Sequence, residues 1–347
     1  KGLSKGRNGL GVLYVFSGGN GGWEGDYSSA DSTASSRGAI TVCATDAAGE
    51  RAPYSERGSN LTVCAPSGRS TTPATAPEIT TTAVKDKYTD DFGGTSASAP
   101  MVSGVAALML QANPRLTWRD VPLILARTAR QVDARNGGWS ELRSPQAGVT
   151  GHDVLRYSHH YGFGVVDAEA ATRLARSWQS VGGSAEQRKC GPFRLNVGKR
   201  IPEAEIVAQQ RAGSTPRAMA EGSVEQKYFD ALTALADRLD YNKAPTGGVS
   251  SAITVPASCN LQHIEHIDVN LTVTGDDGRS EHPNAGDLQI ALTSPLGKVS
   301  TLLPPHPCTV KGEDGELKIV ACQGLQDFTF GVRRHLEEPV AAGANRN

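Results

Sequence analysis

Residues 91–100, DFGGTSASAP, place a threonine and two serines between glycines and a proline, at the mouth of the small-residue stretch MVSGVAALML. A hydroxyl is costly to bury without a partner, so a serine at such a junction serves either as a helix N-cap or as a nucleophile. A nucleophilic alcohol needs a base to take its proton and donors to hold the oxyanion that forms. A second stretch, VFSGGNGG, closes an apolar run on the glycine-flanked Asn20. Read by itself, such an asparagine is a turn residue that tolerates positive φ.

These residues must be held by a scaffold, and the patterning predicts one. Residues 10–16 (LGVLYVF), 39–44 and 61–65 are continuous apolar runs bounded by turn residues, the signature of strands buried in a parallel sheet. After Ser96 a helix carries Ala99, Val102, Ala106, Leu108 and Leu110. A second begins at Thr117, with Asp120 three residues on as a capping pair, and carries Val121, Leu123, Ile124 and Leu125. A third covers 167–178. Strands alternating with helices give an α/β class, a doubly wound and mostly parallel layer. From 179 the composition changes. Residues 179–189 read as a linker. Beyond it, HIDVNLTVTG, DLQIALTSPLGKVSTLL and LKIVACQ alternate apolar and polar residues as an all-β sandwich does. Residues 203–250 interrupt that pattern with a polar, alanine-rich insertion holding one amphipathic helix candidate, VEQKYFDALTALADRL. The domain expectation is therefore 1–178, a linker at 179–189, and 190–347 with the insertion.

The totals set outer bounds. A chain of 347 residues, 38% hydrophobic and rich in glycine, has room for two cores. Its 35 basic and 36 acidic residues give a net charge of -1, so no nucleic-acid or polybasic membrane partner is implied. The longest apolar run, GVAALML, is too short to span a bilayer. KGLSKGRNGLGVLYVF reads as a helix end entering a strand rather than a signal peptide, so an internal fragment is expected. Cys43 and Cys64 lie in strand-like apolar runs and are expected as buried free thiols. Cys190, Cys259, Cys308 and Cys322 lie in polar, loop-rich surroundings and are disulfide candidates.

GGTSASAP entering an alanine-rich helix, with SGGNGG before it in the same order, resembles the subtilisin-like serine proteases. The resemblance implies Ser96 as nucleophile and Asn20 as the side-chain oxyanion donor. LTWRDVPLILARTAR, HHYGFGVVDAEAA and the β-rich tail are similar to the kexin and furin branch, the proprotein convertases, whose catalytic domain is followed by a β-sandwich P domain. It covers nearly the whole chain outside the insertion. That branch cuts precursor polypeptides after paired basic residues in the secretory pathway. Asp31 falls where the family places an acidic residue in the pocket for the residue before the cut, and Asp26 and Glu56 fall at positions resembling its calcium ligands. Ordinary solvated carboxylates are the alternative for all three. Cys190 and Cys259 match the pair flanking the start of the P domain. A family disulfide joining the loops of Asp26 and Glu56 has no counterpart, since Ser28 and Gly58 stand near its sites. Two sequons, at Asn60 and Asn270, lie in expected strands and argue against occupancy.

One departure is large. Subtilisin-like enzymes present their triad in the order Asp, His, Ser, and all eight histidines, from His152 to His335, follow Ser96. The sequence thus carries the nucleophile and oxyanion donor without the base, which is expected upstream of Lys1, as any membrane anchor is expected outside the chain. Three readings compete: a calcium-dependent endopeptidase, incomplete and inactive as written; a catalytically dead homologue used for binding; and a degradative subtilase with an apolar pocket. Intact Ser96, Asn20 and Asp31 favour the first.

Overall fold

The computed structural model describes residues 1–68, 78–143, 154–198, 217–218, 221–259, 261, 263–274, 285–313, 316–320, 322 and 325–338. His152, His282 and most of the first part of the insertion, 203–216, lie outside the described residues. A short helix α1 (Gly2–Lys5) leads into β1 (Tyr14–Ser17), which pairs in parallel with β2 (Ala39–Thr45), and β2 with β3 (Leu61–Pro66). The first strand starts later than the apolar run at 10–16 suggested. Gly9 and Gly11 take positive φ, and a side chain at Gly11 would collide with Trp118, so Leu10 and Gly11 form a turn rather than strand. Every residue of β2 is buried, which explains its unbroken run of apolar residues and threonines.

A hairpin, β4 (Ile79–Ala83) with β5 (Lys87–Phe92), precedes α2 (Thr95–Ala112). Helix α2 packs Val102, Val105, Ala106 and Met109 onto Ile40, Val42, Val63 and Ala65 of the sheet. Leu108, read from sequence among the apolar positions of this helix, is 48% exposed, because it falls on the face turned from the sheet. Helix α3 (Asp120–Thr128) is entered through the expected pair: Thr117 N–H donates to Asp120 Oδ2 at 2.7 Å and Asp120 N–H to Thr117 Oγ1 at 3.3 Å. Strands β6 (Ser140–Arg143) and β7 (Val154–Tyr157) pair antiparallel, and α4 (Ala168–Ser177) is capped by Asp167, which accepts from Ala170 N–H. Helix α4 packs on α2 and α3 to close this layer.

The C-terminal strands form antiparallel sheets around a second core. β8 (Arg217–Ala218) joins β13 (Leu317–Ile319) and β12 (Thr309–Lys311); β9 (Ile267–Leu271) pairs with β14 (Phe328–Val332); β10 (Ile290–Thr293) pairs with β11 (Val299–Leu303). Leu302, Leu303, Phe330 and Val332 are its buried centre. The amphipathic pattern inside the insertion forms α5 (Val224–Arg238), with Ser223 as its cap. Residues 179–189 are not a free tether: Arg119 Nη1 donates to the carbonyls of Val181, Gly182 and Gly183, and Trp118 Nε1 donates to Ser184 Oγ.

Cys43 and Cys64 are bonded to each other, contrary to the expectation of free thiols. The parallel register sets them directly opposite on β2 and β3, with Cα atoms 4.2 Å apart, where two sulfurs must meet. Cys190 is joined to Cys259 and Cys308 to Cys322.

Candidate active site

The three hydroxyls of TSAS have three different fates. Gly94, with φ of 75°, turns the chain out of the hairpin and into α2. Thr95 is buried, and both its N–H (2.9 Å) and its hydroxyl (2.8 Å) donate to Asn20 Oδ1. Ser98 is buried and donates to the carbonyl of Ala65 at 2.9 Å, tying the helix to the end of β3. Ser96 alone is exposed, and no described residue bonds its hydroxyl or its N–H. The first turn of α2 therefore presents one free hydroxyl beside an open backbone donor, at the positive end of an 18-residue helix.

Asn20 is supplied by the loop that follows β1. With Oδ1 held twice by Thr95, its amide plane is fixed and Nδ2 is left to donate outward. Nδ2 faces the turn before Ser96: a Cβ added at Gly94 would lie 3.1 Å from it. The sequence motifs name Asn20 and Ser96, which the structure sets on either side of Gly94, and give no sign that Thr95, inside the same motif, orients the amide.

The acidic residues gather on the two loops beyond the sheet. Glu56 is buried, its Oε1 accepting from Gly21 N–H at 3.0 Å. Burial first, then the neighbouring carboxylate of Asp26, pushes Glu56 up to about 8, and Asp31 and Glu24 add to the effect. Asp26 is exposed and its Oδ1 accepts from Tyr27 N–H. Side chains added at Gly19 and Gly21 would run into Glu56 and Asp26, so these glycines are what let the two carboxylates close over the turn. Asp31 is exposed, its Oδ1 accepting from the N–H groups of Thr33 and Ala34 at 2.7 Å each. A carboxylate driven toward neutrality by burial and then by a second carboxylate beside it is a donor set that a hard divalent cation would relieve, so Asp26 and Glu56 fit calcium. His306 with Cys308 and Cys322 is also compact, but both sulfurs are spent in a disulfide and cannot ligate as thiolates.

Among the described residues no histidine bonds to Ser96. His159 and His160 instead pack on Tyr241, with ring centroids 5.3 Å and 5.7 Å away, and burial holds His160 down at about 3. A serine–histidine–carboxylate relay does exist elsewhere, in the β-rich part. Ser300 Oγ lies 2.9 Å from His335 Nε2, and His335 Nδ1 lies 2.8 Å from Glu338 Oε1. Ser300 and His335 are fully buried and Glu338 is 3% exposed, so no polypeptide reaches that hydroxyl. Asn60 is likewise buried, with its amide donating to Ser28, which closes that sequon to glycosylation in the folded chain.

An exposed serine opening a helix, faced by a fixed asparagine amide at the end of a parallel sheet, is what acyl transfer through an alcohol requires on the side of the electrophile. Comparison with known proteins gives the same class. Residues 1–164 match the subtilase family model. Proprotein convertase subtilisin/kexin type 6 of Rattus norvegicus is 35% identical over 330 residues, 93% of this chain and 28% of that protein. Protease KEX1 of Kluyveromyces lactis is 39% identical over 181 residues, 52% of this chain and 22% of its own. The crystal structure of a serine protease of Aeromonas sobria aligns with a TM-score of 0.57 at 21% identity, over 95% of this chain and 56% of that one, a likeness of fold. The chain belongs to the subtilisin-like serine proteases, in the branch of the proprotein convertases and kexin. It spans 28% of the length of the type 6 convertases it matches.

Proposed function

We propose that this chain carries the nucleophile, the oxyanion site and the substrate-facing carboxylates of a calcium-dependent endopeptidase that cleaves precursor polypeptides after basic residues. The observation that carries the reading is the Thr95–Asn20 lock beside the free Ser96. In that reading the Ser96 hydroxyl oxygen bonds to the scissile carbonyl carbon. Asn20 Nδ2 and the Ser96 N–H take the oxyanion. The serine's proton passes to a histidine from outside this 347-residue sequence, oriented by an aspartate from the same source. Asp31, its carboxylate set by two backbone donors, takes the guanidinium of the residue before the cut. Asp26 and Glu56 would hold the calcium, whose charge would neutralise the pair beside the loop that leads to Asp31. Residues 1–178 form the catalytic part and 190–347 a P domain with an insertion at 203–250. Three disulfides suit the secretory pathway. No helix among the described residues is long and apolar enough to cross a membrane.

The chain alone is expected to be inactive. The test is cleavage of an Arg-Arg peptide by the isolated chain and by the chain supplied with the missing part of a convertase catalytic domain. Cleavage by the isolated chain that Ser96→Ala abolishes would refute the need for an outside base. A full-length gene product without an Asp and a His ahead of Ser96 would leave Ser96 without chemistry and favour the inactive binding homologue.

A further inference from the structure

The insertion docks on the residues that flank the carboxylate pair. Asp26 is followed by Tyr27, and Glu56 by Arg57; the two followers bridge each other across their loops, and Ser28 N–H donates to the Arg57 carbonyl at 2.8 Å. Both followers are then held by the insertion. Asp237, near the end of α5, forms an ion pair with the guanidinium of Arg57. Tyr241, just past α5, lies flat on Tyr27, with centroids 6.0 Å apart and 10° between planes, and its hydroxyl reaches the Arg57 side chain. Tyr241 is itself 5% exposed; its hydroxyl donates to Ala236 O and its carbonyl accepts from Thr301 of β11. A side chain at Gly25 would collide with Pro307 and reach within 3.7 Å of Thr233 of α5, so the loop leading to Asp26 lies against both.

We propose that Asp237 and Tyr241 are positioning residues for the Asp26–Glu56 cation site, and that residues 224–242 act as a brace across the two loops that form it. The inference rests on the cation reading above. The Arg57 side chain is 10% exposed, and its Nε has no partner among the described residues. Asp237 supplies the counter-charge. Without it, a buried positive charge stands one residue from the carboxylate that must receive a dication. Tyr241 contributes differently: it fixes the plane of Tyr27, and with it the backbone that directs Asp26. Ser28 and Gly58, one residue beyond these followers, offer no covalent link between the loops, which meet through backbone and side-chain hydrogen bonds, and the brace clamps that junction from outside.

The experiment is a terbium titration of the whole chain, sensitised through Trp23 and Tyr54, with calcium as competitor. Wild type should bind and Glu56→Gln should not. Asp237→Asn should weaken calcium about fivefold and Tyr241→Leu about tenfold, whereas Asp237→Glu and Tyr241→Phe should stay within about threefold. A purely structural role would lower the melting temperature in EDTA and leave the affinity of the folded protein unchanged. Asp237, with 55% of its side chain exposed, can be changed with little risk to folding. Wild-type affinity in both Asp237→Asn and Tyr241→Leu overturns the brace and leaves the cation site standing. Absence of any binding that depends on Glu56 overturns both.

Discussion

Ser96 and Ser300 each hold half of a hydrolase. Ser96 is exposed at the start of α2 beside a locked amide donor, and no imidazole among the described residues bonds to it. Ser300 has an imidazole and a carboxylate in line at 2.9 Å and 2.8 Å, but it is sealed inside the β-rich part, with no amide site open to a substrate. The difference teaches that a relay of hydrogen bonds is a common way to satisfy buried polar groups. Catalysis further requires access and donors aimed at where charge will develop.

The largest expected effect separates the two serines outright. In the chain completed with an Asp and a His, Ser96→Ala should cost about 10⁶ in kcat, the size seen for the nucleophile of subtilisin, while Ser300→Ala leaves kcat per folded molecule unchanged. A fluorophosphonate probe should mark neither serine in the chain alone, and labelling of Ser300 would break the comparison. His335→Ala should act on stability, since it removes the main partner of the buried Glu338 carboxylate and leaves it Ser294 and Arg334: about 3 kcal/mol in urea unfolding. Thr95→Val removes one of the two donors that fix Asn20, and should lower kcat about tenfold in the completed enzyme with KM unchanged.

The smallest effect is a pH slope. Burial would raise Glu338, but the hydrogen bond and charge of His335, with help from Ser294 and Arg334, outweigh it and hold the carboxyl below its ordinary 4.5. The folded state thus takes up its proton later than the unfolded one. The contribution is complete above about pH 4.5 and is lost as pH falls through the lower folded value. Urea midpoints from pH 6 to 3 should fall less steeply in Glu338→Gln than in wild type.

What could be read from sequence follows the range of each interaction. The Thr117–Asp120 pair, the Asp167 cap and the buried runs of β2 and β3 depend on residues a few positions apart, and their patterns predict them. Ser96 and Asn20 were legible because each sits in a local motif. The Cys43–Cys64 bond was not, because it depends on the register between two strands, which apolar runs do not encode. The link from Arg57 to Asp237 spans 180 residues, and that from Ser300 to His335 joins two unrelated runs. Neither has a spacing that a single sequence can reveal.

The carboxylate of Asp120 receives five hydrogen bonds: from the N–H and hydroxyl of Thr117, from Ser180 Oγ, from Trp178 Nε1 and from Val181 N–H. Three of these partners belong to the stretch where the helical layer ends and the β-rich part has yet to begin. The seam that protease digestion or gene dissection would find is therefore not at the end of α4. A cut at Trp178 would strip a buried anion of most of its donors, while one at the exposed Arg188–Lys189 would leave the anion and its whole cradle with the helical half.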